Sequence, residues 1–132
     1  GNGIRVSAEP DEIRKAVNRM YTDPRHLRVE DAGQVEGNVV FAFLDAFEPD
    51  AQRLAELKQR YRRGGLADSA LKQLLNERLQ AFIEPIRLRR HRLAMDRGEV
   101  IAVLRRGTEQ AREKAASTVA AVKRALGLAY VA

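Results

Sequence analysis

Apolar residues in this chain recur at the 3.6-residue spacing of an α-helix from Ile13 to Leu126, and no segment alternates cleanly at period 2. That regularity restricts the fold to helix packed on helix. It predicts an all-α bundle of about five helices, the last two long and packed antiparallel. The first is expected over Pro10–Met20, with proline at its first position, Asp11 and Glu12 in its first turn, and Ile13, Val17 and Met20 as its apolar stripe. A polar connection of about a dozen residues follows, with Asp23-Pro24 and Ala32-Gly33 as turn signals. Connections of that length often carry function. The second helix, near Val35–Phe47, is apolar on most of its circumference and must be buried. The third, Ala51–Arg63, is capped by Asp50 and stopped by Gly64-Gly65.

The fourth helix is capped by Asp68 and carries Leu71, Leu75, Leu79, Phe82 and Ile86 on one stripe. Pro85 in its interior should kink it. Asp96-Arg97-Gly98 interrupts the pattern, and the fifth helix is expected over Glu99–Leu126. Its stripe of Val100, Leu104, Thr108, Ala111, Ala115, Val119, Val122 and Leu126 is small in the middle, which suits close approach by a neighbouring helix. The four phenylalanines, Phe41, Phe43, Phe47 and Phe82, are assigned to the core.

At 132 residues the chain is expected to form a single domain able to bury a core. It contains no cysteine, which removes disulfide frameworks and cysteine metal sites. No apolar run approaches the roughly 20 residues that span a bilayer. The first residues carry no secretory pattern, and a start at Gly1 reads as a piece of something longer. The net charge of +6 is unevenly placed. Residues 1–85 hold 13 Lys/Arg against 14 Asp/Glu, whereas residues 86–132 hold 11 against 4. A one-sided basic segment rich in arginine suits a polyanion, though a merely solvated basic face has the same composition.

Catalytic groupings are missing from the sequence. His26 and His91 have no cysteine or carboxylate at metal-ligand spacing, so both read as loop or surface residues. Ser7, Ser69 and Ser117 have no recognisable base partner, and no glycine-rich phosphate loop is present. No catalytic, cofactor-binding or metal-binding residue is assigned. The basic residues differ. Arg87 and Arg90 share a helix face, with His91 one turn beyond Arg87. Arg60, Arg62 and Arg63 end the third helix, where cations also complement the helix dipole.

Several short motifs then occur in a telling order. Pro10-Asp11-Glu12-Ile13-Arg14-Lys15 is followed by Thr22-Asp23-Pro24, by Tyr61-Arg62-Arg63-Gly64-Gly65-Leu66 with Lys72, and by Pro85-Ile86-x-x-Arg89. Leu104-x-x-Gly107, the Ala111/Ala115 spacing and the exit Ala125-Leu126-Gly127-Leu128 complete the series. In order and spacing the chain resembles the C-terminal helical domain of bacterial-type tryptophanyl-tRNA synthetases, which are class I aminoacyl-tRNA synthetases. Gly1-Asn2 with Ile4 looks like the continuation of that family's Lys-Met-Ser-Lys-Ser loop.

The resemblance implies that residues 1–132 are a tRNA-binding, anticodon-arm domain whose catalytic nucleotide-binding domain is absent. The intact parent would be a ligase of protein biosynthesis joining tryptophan to its tRNA with ATP and magnesium; the fragment alone would be non-catalytic and without cofactor. It also implies cytoplasmic placement, no membrane, a homodimeric parent and a mainly monomeric fragment. The candidate tRNA-binding residues are Arg62, Arg63, Lys72, Arg87, Arg90, His91, Arg92 and Arg105. The alternative is a helical protein–protein module whose basic face docks an acidic partner.

Overall fold

The computed structural model describes residues 3–128; the motif at Gly1-Asn2 lies outside the described residues. Five helices follow in order: α1 (Pro10–Asn18), α2 (Val39–Phe47), α3 (Ala51–Arg63), α4 (Asp68–Met95) and α5 (Arg97–Ala125). The last two are the longest, at 28 and 29 residues, and no strand occurs among the described residues. The all-α expectation is borne out. The chain divides into two compact units, residues 1–89 and 90–132, and each is described by itself.

In the first unit, α1 starts at Pro10, and the Glu9 amide donates to the Glu12 carboxylate at 3.0 Å. It ends at Asn18 rather than Met20. The amides of Arg19 and Met20 instead close tighter bonds, to the Ala16 and Val17 carbonyls. The second helix begins at Val39, four residues later than the apolar run suggests. Gly37 sits at φ 81, which breaks a right-handed helix, and the Asn38 side chain then accepts from the Val40 amide at 3.0 Å. The Asp50 cap of α3 is as expected, accepting from the Arg53 amide at 2.9 Å. At its far end Gly64 has φ 86, and a Cβ there would lie 2.1 Å from the Glu30 carbonyl oxygen. Both conformation and space demand glycine.

Asp68 is the first helical residue of α4, not its cap. The helix runs unbroken through Pro85 to Met95. Pro85 and Ala81, whose carbonyl loses its partner, are both exposed, so water can take over the missing bond. Three side chains spaced along α4 hold the N-terminal segment. Lys72 donates to the Asn18 carbonyl (3.0 Å), Gln80 to Pro10 (2.9 Å) and Arg87 to Ala8 (3.3 Å). Their order shows that α1 runs antiparallel to α4.

Around them, Ile13, Val17, Val40, Phe41, Leu44, Leu54, Tyr61, Leu71, Leu75, Leu79 and Ile83 form one buried cluster. Full burial of each such aliphatic side chain is worth about 1.5–3 kcal/mol. Phe43 and Phe47 pack partly against that core. Phe82, assigned to the core from sequence, is 52% exposed. The α2 helix ends at Phe47, which covers one edge of the Phe82 ring at a centroid distance of 5.2 Å.

The second unit contains the last residues of α4 and all of α5. Asp96 accepts from the Glu99 amide at 3.0 Å, so α5 starts at Arg97 rather than Glu99. It ends at Ala125, with Gly127 at φ 68 just beyond. No residue of α5 is buried. Val100, Leu104, Val119, Val122 and Leu126 keep the expected spacing but are 39–66% exposed.

Candidate nucleic-acid interface

Residues 90–132 hold nine Lys/Arg and four Asp/Glu. No lysine or arginine of this unit makes an ion pair with the described residues. Arg90, His91 and Arg92 are exposed on the last turns of α4, and Arg105 is exposed on α5. With Ile101, Leu104, Thr108, Glu109 and Arg112, Arg105 lines a shallow depression of about 270 Å³. Arg105 and Arg112 lie seven residues apart and so share a helix face. Guanidinium groups without a carboxylate partner present planar forks that match phosphate oxygens.

The candidates in the first unit are used differently. Arg62 donates to the Glu36 carboxylate at 2.6 Å. That bond, ahead of other contributions, holds the Glu36 carboxyl below its usual range. Lys72 and Arg87 belong to the row that pins the N-terminal segment to α4. Their donors therefore have internal acceptors. Arg63 is exposed and makes no ion pair with the described residues. Of the eight positions picked from sequence, the structure leaves Arg63, Arg90, Arg92 and Arg105 with no ion pair or hydrogen bond to the described residues.

Sequence reasoning missed a polar node beneath the long connection. His26, read from the sequence as a loop or surface residue, does lie in the connection but is buried there. Its ring lies on Tyr61 at a centroid distance of 4.6 Å, and its Nδ1 is 3.3 Å from an Asp68 carboxylate oxygen. The same oxygen accepts the Tyr61 hydroxyl at 2.7 Å, and the Asn38 amide reaches that hydroxyl at 3.4 Å. Burial first, and then the Asp68 bond and charge, push the Tyr61 phenol well up from its ordinary value. Asp23 accepts from the Arg25 and Gln34 amides, both at 2.9 Å, and these two bonds hold its carboxyl below the usual range. The only hint in the sequence was the length of a connection too well provided with Asp, Asn and Gly to be slack. Among the described residues no group of three or more His, Cys, Asp or Glu gathers as a metal site.

No family model matches the chain. It is 49% identical over 130 residues to the tryptophan–tRNA ligase of Clostridium longisporum, covering 98% of this chain and 38% of that protein. It is 50% identical over 131 residues to the tryptophan–tRNA ligase of Streptococcus pneumoniae serotype 4, with the same two coverages. Along nearly its whole length the chain matches a tryptophan–tRNA ligase segment. The resemblance drawn from the ordered motifs is thus borne out, and a match of this extent fits a C-terminal part. The chain spans about 38% of the length of these relatives.

The fold is shared with the tryptophanyl-tRNA synthetase of Campylobacter jejuni. The TM-score is 0.77 at 24% identity, covering 95% of this chain and 40% of that one. A second structure of that enzyme, complexed with ADP and tryptophan, gives a TM-score of 0.78. No described helix is long and apolar enough to cross a membrane.

Proposed function

We propose that residues 1–132 act as the C-terminal helical, tRNA-binding domain of a tryptophan–tRNA ligase, with the unpaired arginines of the second unit on the phosphate backbone. The observation that carries this reading is the match at about half identity over 98% of the chain, joined to a basic unit whose lysines and arginines make no ion pair with the described residues. In the intact protein the remaining part would activate tryptophan with ATP and magnesium, and this chain would help place the tRNA. Alone it would be non-catalytic and mainly monomeric, taken from a homodimeric cytoplasmic parent.

The test is tRNA binding by the chain across a salt series, read by fluorescence anisotropy. Affinity should fall steeply with salt, because neutralising phosphates releases counterions. Changing Arg90, Arg92 and Arg105 to Gln should flatten the slope of log K against log salt by about 0.7–0.9 for each phosphate no longer neutralised. Helix content should hold, since Gln is nearly as good a helix former as Arg. No binding by the unmutated chain at low salt would move the reading to an acidic protein partner.

A further inference from the structure

The connection between α1 and α2 is costly to order, yet it is fastened at both ends and along its length. Asp23 takes the amides of Arg25 and Gln34. Asp31 takes the amides of Leu27 (3.2 Å) and Arg28 (2.7 Å). His26 is the buried peg beneath, against Tyr61 and Asp68. The loop then runs back along the end of α3. Gly65 donates to the Val29 carbonyl at 2.5 Å, and Gly33 to the Tyr61 carbonyl at 2.9 Å. A Cβ on Gly33 would come within 2.3 Å of the Tyr61 ring, so this approach is specified by glycine.

Such anchoring would ordinarily accompany an inward-facing apolar residue. Here it holds Leu27 at 85% exposure and Val29 at 48%. Fixing a backbone residue costs about 1–2 kcal/mol, so a rigid loop that offers its apolar side chains to water has a use for them outside.

The charges around this tip are informative. Arg25 is engaged by Gln34 and Asp23, and Arg60 donates to the Gly65 carbonyl. Arg28 and Arg63 make no side-chain bond to the described residues, and the antiparallel run of the loop along α3 brings them to the same end of the unit. Two carboxylates share this surface. Asp31 is occupied by the Leu27 and Arg28 amides, and Glu30 is exposed.

We propose that the tip Arg25–Glu30, with Arg63 at the end of α3, is a second RNA-binding surface, on the first unit and independent of the basic helices. Leu27 and Val29 seat against an unpaired nucleotide, and Arg28 and Arg63 take the flanking phosphates. An unpaired base offers an apolar face that a duplex hides, and free guanidiniums suit phosphate better than an acidic peptide already matched by Glu30. This rests on the tRNA reading and adds to it the loop residues and the unpaired state of the RNA.

The test uses the full chain and a tryptophan tRNA transcript. Leu27→Ser should weaken binding by about five- to tenfold with an unchanged salt slope. The pair Arg28→Gln and Arg63→Gln should flatten the slope by about 1.4–1.8, the value for two phosphates left unneutralised. Glu30→Gln should strengthen binding. These side chains are exposed, so thermal melts monitored by circular dichroism should be unaltered. A photo-crosslinking residue at position 27 should label unpaired nucleotides. If the unmutated chain binds and its salt slope responds to the Arg90, Arg92 and Arg105 changes, but the loop variants bind like it and position 27 labels nothing, the loop proposal falls and the tRNA reading stands. If the unmutated chain fails to bind at low salt, both fall.

Discussion

The two units carry the same kind of sequence and put it to opposite uses. In the first, α4 has Leu71, Leu75 and Leu79 at helical spacing, and all three are buried. In the second, α5 has Val100, Leu104, Val119 and Val122 at helical spacing, and none is buried. The charges divide likewise. Residues 1–89 hold 15 Lys/Arg against 14 Asp/Glu, and six of those cations pair with carboxylates. In the second unit no lysine or arginine has such a pair among the described residues. Helical periodicity reports which side chains could share a face, whereas burial and pairing depend on what else packs there.

The largest effect should come from matched truncations. Leu75→Ala empties a fully buried site and should cost about 2–5 kcal/mol. Leu104→Ala removes the same atoms from an exposed face and should stay within about 0.5 kcal/mol. Urea unfolding of both variants measures the difference. Equal losses would break the contrast, because they would mean that the α5 stripe is packed in solution.

A smaller effect concerns the buried carboxylate at the end of α2. Burial would push the Glu48 carboxyl up, but the Arg78 guanidinium at 2.8 Å and the Asp50 amide outweigh it and leave the carboxyl below its ordinary 4.5. A carboxyl depressed on folding adds stability that is fully present above its unfolded value and is lost as pH falls through the folded one. Glu48→Gln should therefore lower stability at neutral pH by about 1.5–3 kcal/mol and flatten the acid limb below pH 4.5. Melting temperatures across that pH range decide it. An acid limb as steep as in the unmutated chain would show that Glu48 is not the responsible group.

The smallest effects sharpen the division of the cations. Lys72→Gln and Arg87→Gln each remove a hydrogen bond that holds the N-terminal segment, and each should cost about 0.5–1.5 kcal/mol. Neither should alter the salt slope of tRNA binding. A slope that flattens with Arg87→Gln would return Arg87 to the interface.

Much of the fold is readable from the sequence because it is local. Asp50 and Gly64 bound α3 as their chemistry requires, and Pro10 opens α1. Helix boundaries slip where a neighbouring residue competes. Asn38 and Gly37 delay α2, and Asp96 advances α5. Part of the candidate interface is equally legible. The charge imbalance marks Arg90, Arg92 and Arg105, whereas Lys72 and Arg87 carry the same charge and are taken up by distant carbonyls. Nothing in the neighbouring residues tells an arginine which of these it will be.

By itself the sequence determined the helical class, the order of five helices, the basic C-terminal segment and, through its ordered motifs, the kinship with tryptophan–tRNA ligases. These depend on spacing along one chain, where each residue meets neighbours three or four positions away. The tertiary structure decided which apolar stripe is buried, which cations are paired, and that His26 lies under a rigid loop that presents Leu27. Those outcomes rest on interactions between residues far apart in sequence, such as His26 with Tyr61 and Asp68, or Arg87 with Ala8. Their energies depend on packing and desolvation, which no local pattern encodes.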